Sequence, residues 1–334
     1  MKEKLFFFSL KHPLLYILSL AVIVRLLALI FTDGSITAST EFNYYHIPET
    51  WMINPWVVYI ARLIFGAFSL LIITLSYRIT KIIADKTTAL EIATFGALLW
   101  CMPYASVHSI PSVVVLPFLL YGTLLVLKQH HLLDNDETEK FHRTTFIIAG
   151  FVLGLGFAVC YLSLIYYIGI LLTLLILKNW KGALMTLIGY LVAVGLTQTV
   201  VDLIVFHKPF VAMTALFNEP MFETFFPMWA EFFLLLVMVP PMSLLLLFGF
   251  FRVFRKYILL VIPTLIIILC SLFTYDFDIL LMAIPTYIIA GYVGWKEFYK
   301  NSAFWTKNKW LVLTCYILFA LLNTALILFS FVYL

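Results

Sequence analysis

A chain of 334 residues that is 64% hydrophobic and only 11% charged, with a formal net charge of +4, is not an ordinary soluble domain, which carries about a quarter charged residues. Its apolar runs are long and lack the apolar-polar alternation of barrel strands, so membrane-spanning α-helices are the expected solution. The four cysteines, Cys101, Cys160, Cys270 and Cys315, lie in apolar segments without metal-ligand spacing and read as small packing residues.

Taken in chain order, the pattern predicts an all-α, polytopic transmembrane bundle, one integral membrane domain over residues 1–334. About eleven spans are expected, at 13–32, 56–77, 88–103, 111–128, 145–161, 163–178, 182–206, 230–251, 257–274, 279–295 and 310–333. The opening MKEKLFFFSLKHPLLYILSL has no small-residue cleavage site after its apolar part and reads as a retained first span. Segments 145–161 and 163–178 are short for complete spans. They lie between Arg143 and Lys178, which fall on the same side, so a hairpin of short or bent helices is expected there.

Charge gives the orientation. With the N-terminus cytoplasmic, inner loops collect 18 of the 21 Lys and Arg residues, leaving Arg25, Arg62 and Lys208 for spans and outer segments. Nine acids then map to the outer side: Asp33, Glu41, Glu49, Asp202, Glu219, Glu223, Glu231, Asp276 and Asp278. The expected location is a multi-pass position in a bacterial inner membrane. The basic excess belongs to the inner leaflet's lipids, and no basic stripe with stacking aromatics points to nucleic acid.

The longest inner loop, KQHHLLDNDETEKFHR (Lys128 to Arg143), reads as a solvated connector. There is no glycine-rich phosphate loop, nucleophile elbow or Cys/His metal cluster, and neither metal nor cofactor is expected. Polar chemistry gathers instead in three outer segments, at 33–51, 207–231 and 274–278. In an enzyme, one carboxylate there would serve as general base on an acceptor hydroxyl while cations hold a phosphate leaving group. The bland alternative is that outer loops are polar because they are wet.

Few ionisable residues fall within apolar runs, and each is a candidate. Arg25 is expected to form a structural ion pair with Asp202, the alternatives being snorkelling to the outer interface and a phosphate contact. Arg62 is the better phosphate-binding candidate, because a guanidinium grips two oxygens at once. His207 and Lys208 are read as further substrate contacts or as interfacial anchors. His46 and His108 stand nearest the outer surface, each as an interface residue or a base, and His46 is also read as a substrate contact. Trp51, Trp56, Trp229, Tyr44 and Tyr45 fit an outer aromatic belt.

The stretches RLIFGAFSLLIITLSYRITKII and WKGALMTLIGYLVAVGLTQTVVDLIVFHKPF resemble the C-type glycosyltransferases, most closely the branch of GPI and lipid-linked-oligosaccharide mannosyltransferases. The matching positions are Arg62, Trp180, Gly189, Asp202 and His207 to Phe210, and the similarity covers chiefly residues 57–215. It implies a multispanning enzyme that transfers a sugar, mannose in the nearest branch, from a polyprenyl-phosphate donor to a glycan or lipid acceptor on the non-cytoplasmic face. The family's acidic pair in the first outer loop falls on Ser39 and Thr40 of STEFNYYH, with Tyr45 for Trp and His46 for the second acid. Its basic cluster falls on TYDFDILLMAIP, where Asp276 keeps an acid and Asp278 replaces Arg. By resemblance the base is then Asp33 or Glu41, with Asp276 supporting the acceptor. These departures leave open a catalytically inactive subunit of a membrane or envelope assembly, with other membrane subunits as partners. A transporter ranks third, because the sequence shows no internal repeat.

Overall fold

The computed structural model describes residues 12–32, 55–108, 110–135, 143–210, 242–271 and 277–333, and every regular element among them is an α-helix. In chain order these are α1 (Pro13–Phe31), α2 (Pro55–Ile83), α3 (Lys86–Leu98), α4 (Cys101–Val107), α5 (Pro111–Val114), α6 (Leu116–Asn135) and α7 (Arg143–Val159). Then come α8 (Ser163–Ile176), α9 (Trp180–Phe206), α10 (Ser243–Arg252), α11 (Ile258–Ser271), α12 (Phe277–Asn301), α13 (Ala303–Lys307) and α14 (Lys309–Tyr333). Proline opens α1, where its missing N–H costs nothing.

By length and hydropathy six stretches can cross a membrane, and a seventh if α3 and α4, bent by 57°, count as one broken span. The chain is thus an integral membrane protein. The expected segments 145–161, 163–178, 230–251 and 257–274 contain shorter apolar helices. At 1.5 Å per residue, α7 and α8 reach about 25 and 21 Å, less than the ~30 Å of a hydrocarbon core.

Burial separates an inner from an outer set. The stretch Ile279–Asn301 is 94% buried, whereas Pro13–Phe31 is 28% and Lys309–Phe329 17% buried. α12 is therefore the axis of the bundle, and α1 and α14 face lipid. In lipid, helices associate through close contact rather than through exclusion of water, so small residues decide who packs with whom. α7 and α9 run parallel and touch backbone to backbone. A Cβ on Gly150 would stand 1.9 Å from the Thr186 carbonyl oxygen, and one on Gly189 would stand 2.0 Å from that of Ile147. α10 and α12 meet the same way, with Gly249 and Gly294 each against the other helix's backbone.

Breaks in the helices are satisfied by side chains. Where α3 gives way to α4, Asn323 of α14 donates from Nδ2 to the Leu98 carbonyl at 2.5 Å and accepts from the Trp100 N–H at 2.9 Å. At one end of the bundle Lys296 pairs with Glu91, Lys256 with Glu297, and Tyr257 donates to the Ile83 carbonyl.

Gly150→Ala should cost about 1–3 kcal/mol by overpacking. Gly195→Ala, with nothing within 4 Å of the added methyl, should be neutral or slightly stabilising. Thermal unfolding of the purified variants in one detergent compares them, and equal melting temperatures would refute the backbone contact. In the same assay Asn323→Leu should lose about 1–3 kcal/mol, the cost of stranding two partly buried backbone groups.

Candidate functional site

The apolar run of α1 ends at Thr32, whose extended backbone stops the helix and whose N–H and hydroxyl both donate to the Ala28 carbonyl. A helix end leaves carbonyls without partners, and inside a bilayer no water replaces them. Arg62, eight residues into α2 and fully buried, supplies the donors. Its Nη2 donates to Thr32 Oγ1 at 2.6 Å and to the Thr32 carbonyl at 3.3 Å. Its Nε donates to the Val107 carbonyl, the last of α4, at 3.0 Å. One cation thus caps two helix C-termini, where the macrodipoles favour positive charge. Beside it His108, the C-cap of α4, stacks on Tyr104 with ring centroids 4.1 Å apart.

Arg25 lies deeper in α1 and is 4% exposed. Its Nε donates to Ser69 Oγ at 2.6 Å and its Nη1 to the Ala21 carbonyl at 3.3 Å. Those bonds use two of a guanidinium's five N–H groups, and the other three have no acceptor among the described residues. Both arginines line a cavity of about 230 Å³ between α1 and α2, floored by Gly66 and Ala67 and rimmed by the lipid-facing Leu26 and Leu63. A buried cation with unused donors, in a groove otherwise apolar and open at its rim, can hold an anion attached to an apolar chain.

The expected Arg25–Asp202 ion pair is not formed, because Arg25 binds Ser69 and Ala21 instead. Its physical reason is topological: α1 packs on α2, α3 and α4, while Asp202 is buried on α9, which packs on α7 and α8. Arg62 donates to backbone carbonyls and to the Thr32 hydroxyl. His207 and Lys208 are exposed at the end of α9, where His207 takes a left-handed backbone (φ 58°) and the Phe210 N–H turns back to the Gln198 carbonyl. They do not join the groove. Asp33, Glu41, His46 and Asp276 lie outside the described residues.

Two features escaped the sequence reading. Between α8 and α9 the Tyr167 and Tyr190 rings stack at 3.8 Å, and both hydroxyls, with Ser163 Oγ and Gln198 Oε1, are buried without a hydrogen-bond partner among the described residues. The i, i+4 spacing of Ser163 and Tyr167, and of Tyr190, Val194 and Gln198, was the available signal. A second cavity, lined by Arg143, Lys178, Asn179, Trp180 and Lys181, lies where α7 and α9 begin. No protein-family model matches this chain, and no curated protein matches it.

Arg62→Ala should destabilise the protein by about 3 kcal/mol or more, since it strands buried carbonyls at two helix ends. Thr32→Val should lose part of that amount. Arg25→Ala, which removes fewer bonds, should cost less than Arg62→Ala, and thermal unfolding in detergent orders the three.

Proposed function

We propose that the protein is a membrane glycosyltransferase-like protein that binds a polyprenyl-phosphate lipid between α1 and α2, with the phosphate on Arg25. The observation that carries this reading is the lipid-open groove holding a buried guanidinium with unused N–H donors. An isoprenoid tail would lie along the exposed Val22, Leu26 and Leu63 while its phosphate replaces the missing acceptors. Arg62 fixes the wall of the groove rather than gripping the ligand.

In the same proposal the chain crosses a bacterial inner membrane about eleven times with its N-terminus inside. The charged end of the bundle, with Lys256, Glu297, Lys296 and Glu91, faces the cytoplasm. A sugar, mannose by resemblance, passes to a glycan or lipid acceptor on the outer face, with Asp33 or Glu41 as base and Asp276 beside the acceptor. A second reading, a non-catalytic subunit that binds the lipid without turning it over, is favoured by Ser39 and Thr40 standing where the family carries its acidic pair.

Full-length protein in lipid nanodiscs, given a panel of polyprenyl-phosphate sugars, tests both readings. Arg25→Ala should weaken lipid-phosphate binding about tenfold or more, with folding retained. If transfer occurs, general-base assistance of about 10²–10⁴-fold means that Asp33→Asn or Glu41→Gln leaves a hundredth of the rate or less. Binding without turnover selects the subunit. Equal binding by wild type and Arg25→Ala removes the lipid-phosphate reading altogether.

A further inference from the structure

A second cavity lies at the start of α9 and shares no lining residue with the Arg25 groove. α8 ends in a tight turn in which the Lys178 N–H donates to the Leu175 carbonyl and the Asn179 N–H to that of Leu174, both at 2.9 Å. Asn179 Oδ1 then accepts from the Gly182 N–H at 2.9 Å and caps α9. The turn needs a left-handed residue, and Lys178 fills it at φ 57°. Glycine would serve there without the ~1–2 kcal/mol that a side chain costs in this conformation. A lysine in this position is therefore unexplained by the turn itself, and the bonds on either side fix where its chain starts.

Three cations converge at this turn. α7 and α9 are parallel and packed at glycine distance, so Arg143 at the head of α7 comes beside Lys181 at the head of α9, with Lys178 next to both. They line a cavity of about 450 Å³ together with Asn179 and Trp180. None of the three makes an ion pair among the described residues, whose ion pairs join Lys256, Lys296 and Lys300 to acids elsewhere. Three like charges around one cavity repel, and an anion would relieve them.

The surroundings specify which anion. The cavity opens at the first residues of a membrane-spanning helix, with Trp180 at its edge 66% exposed, as an interfacial tryptophan is. From there Leu184, Ile188 and Leu191 run up the outer face of α9, all exposed. A cationic pocket continuous with an apolar stripe fits a molecule that carries a phosphate at one end and hydrocarbon at the other. We infer that this cleft binds the headgroup of an anionic phospholipid, its phosphate among Arg143, Lys178 and Lys181 and its acyl chains along α9.

The test uses full-length protein in nanodiscs of phosphatidylcholine with or without one-fifth phosphatidylglycerol, reading co-purifying lipid by native mass spectrometry. Wild type should retain phosphatidylglycerol over phosphatidylcholine, and Lys178→Gln/Lys181→Gln should lose at least fivefold of that retention. Arg255→Gln/Lys309→Gln, which removes two exposed cations elsewhere, should keep it. Melting temperatures in pure phosphatidylcholine identify a variant that has merely unfolded, in which case Arg143→Gln replaces it. Equal retention by wild type and a folded cleft variant would overturn the proposal. So would full displacement of the lipid by millimolar inorganic phosphate, which would make the site one for free phosphate. A third result also sinks it: retention only after Asp136→Asn/Glu137→Gln/Glu139→Gln, which would mean that the chain's own acids neutralise the cleft. Because Arg25→Ala leaves this cleft intact, its retention of phosphatidylglycerol stands or falls separately from polyprenyl-phosphate binding.

Discussion

A helix that stops or breaks inside a bilayer frees backbone groups that water cannot reach, and the architecture of this protein depends on how those groups are met. Arg62 meets two helix ends at once, Thr32 of α1 and Val107 of α4. Asn323 meets both a carbonyl and an N–H at the break between α3 and α4. Each such side chain comes from a different helix than the one it completes. The breaks are therefore also the joints, and α1, α2, α4 and α14 are held by polar bonds where apolar contact alone would let them slide. A buried amide or guanidinium is expensive unless all its bonds are made, which is why these contacts specify one arrangement.

The second constraint is steric. Glycines let α7 meet α9, and α10 meet α12, at backbone contact, and in lipid that proximity replaces the hydrophobic drive of a soluble core. It also has an electrostatic consequence. Parallel helices packed this closely bring their positive ends together, and the cations at the heads of α7 and α9 are added to that charge. The cleft at Lys178 is thus produced by the packing rather than carved into it.

Much of this was legible in the sequence. Hydrophobic runs located most helices among the described residues, though neither α13 nor the break between α3 and α4, and the shortness of 145–161 and 163–178 anticipated α7 and α8. Arg25 and Arg62 stood out as charges in apolar runs, and both line the groove. Their roles could not be read, because the partners of Arg62 are mostly carbonyl oxygens, which every residue carries and no residue type announces. The pairing of Arg25 with Asp202 failed for a related reason. Charge complementarity names a partner only when the helices are neighbours, and hydropathy says nothing about neighbours. Glycine spacing carries part of that information, and Gly150-x-x-x-Gly154, which the sequence reading did not use, marks the close contact with α9.

The contrast between the two arginines carries the functional argument furthest. Both are buried and both border the same cavity, yet one is bound to carbonyls at two helix ends and the other to a single serine and one carbonyl of its own helix. A guanidinium that completes the fold cannot release its acceptors to a ligand without undoing two helix ends. A guanidinium with donors to spare binds an anion at no such cost, and in an apolar groove it gains more from that anion than a solvated arginine would. Ser69 sets the direction of the Arg25 head, since its hydroxyl is itself oriented by the Gly66 carbonyl at 2.7 Å. Arg62 builds the wall, Ser69 aims the cation, and Arg25 keeps N–H donors without an acceptor among the described residues.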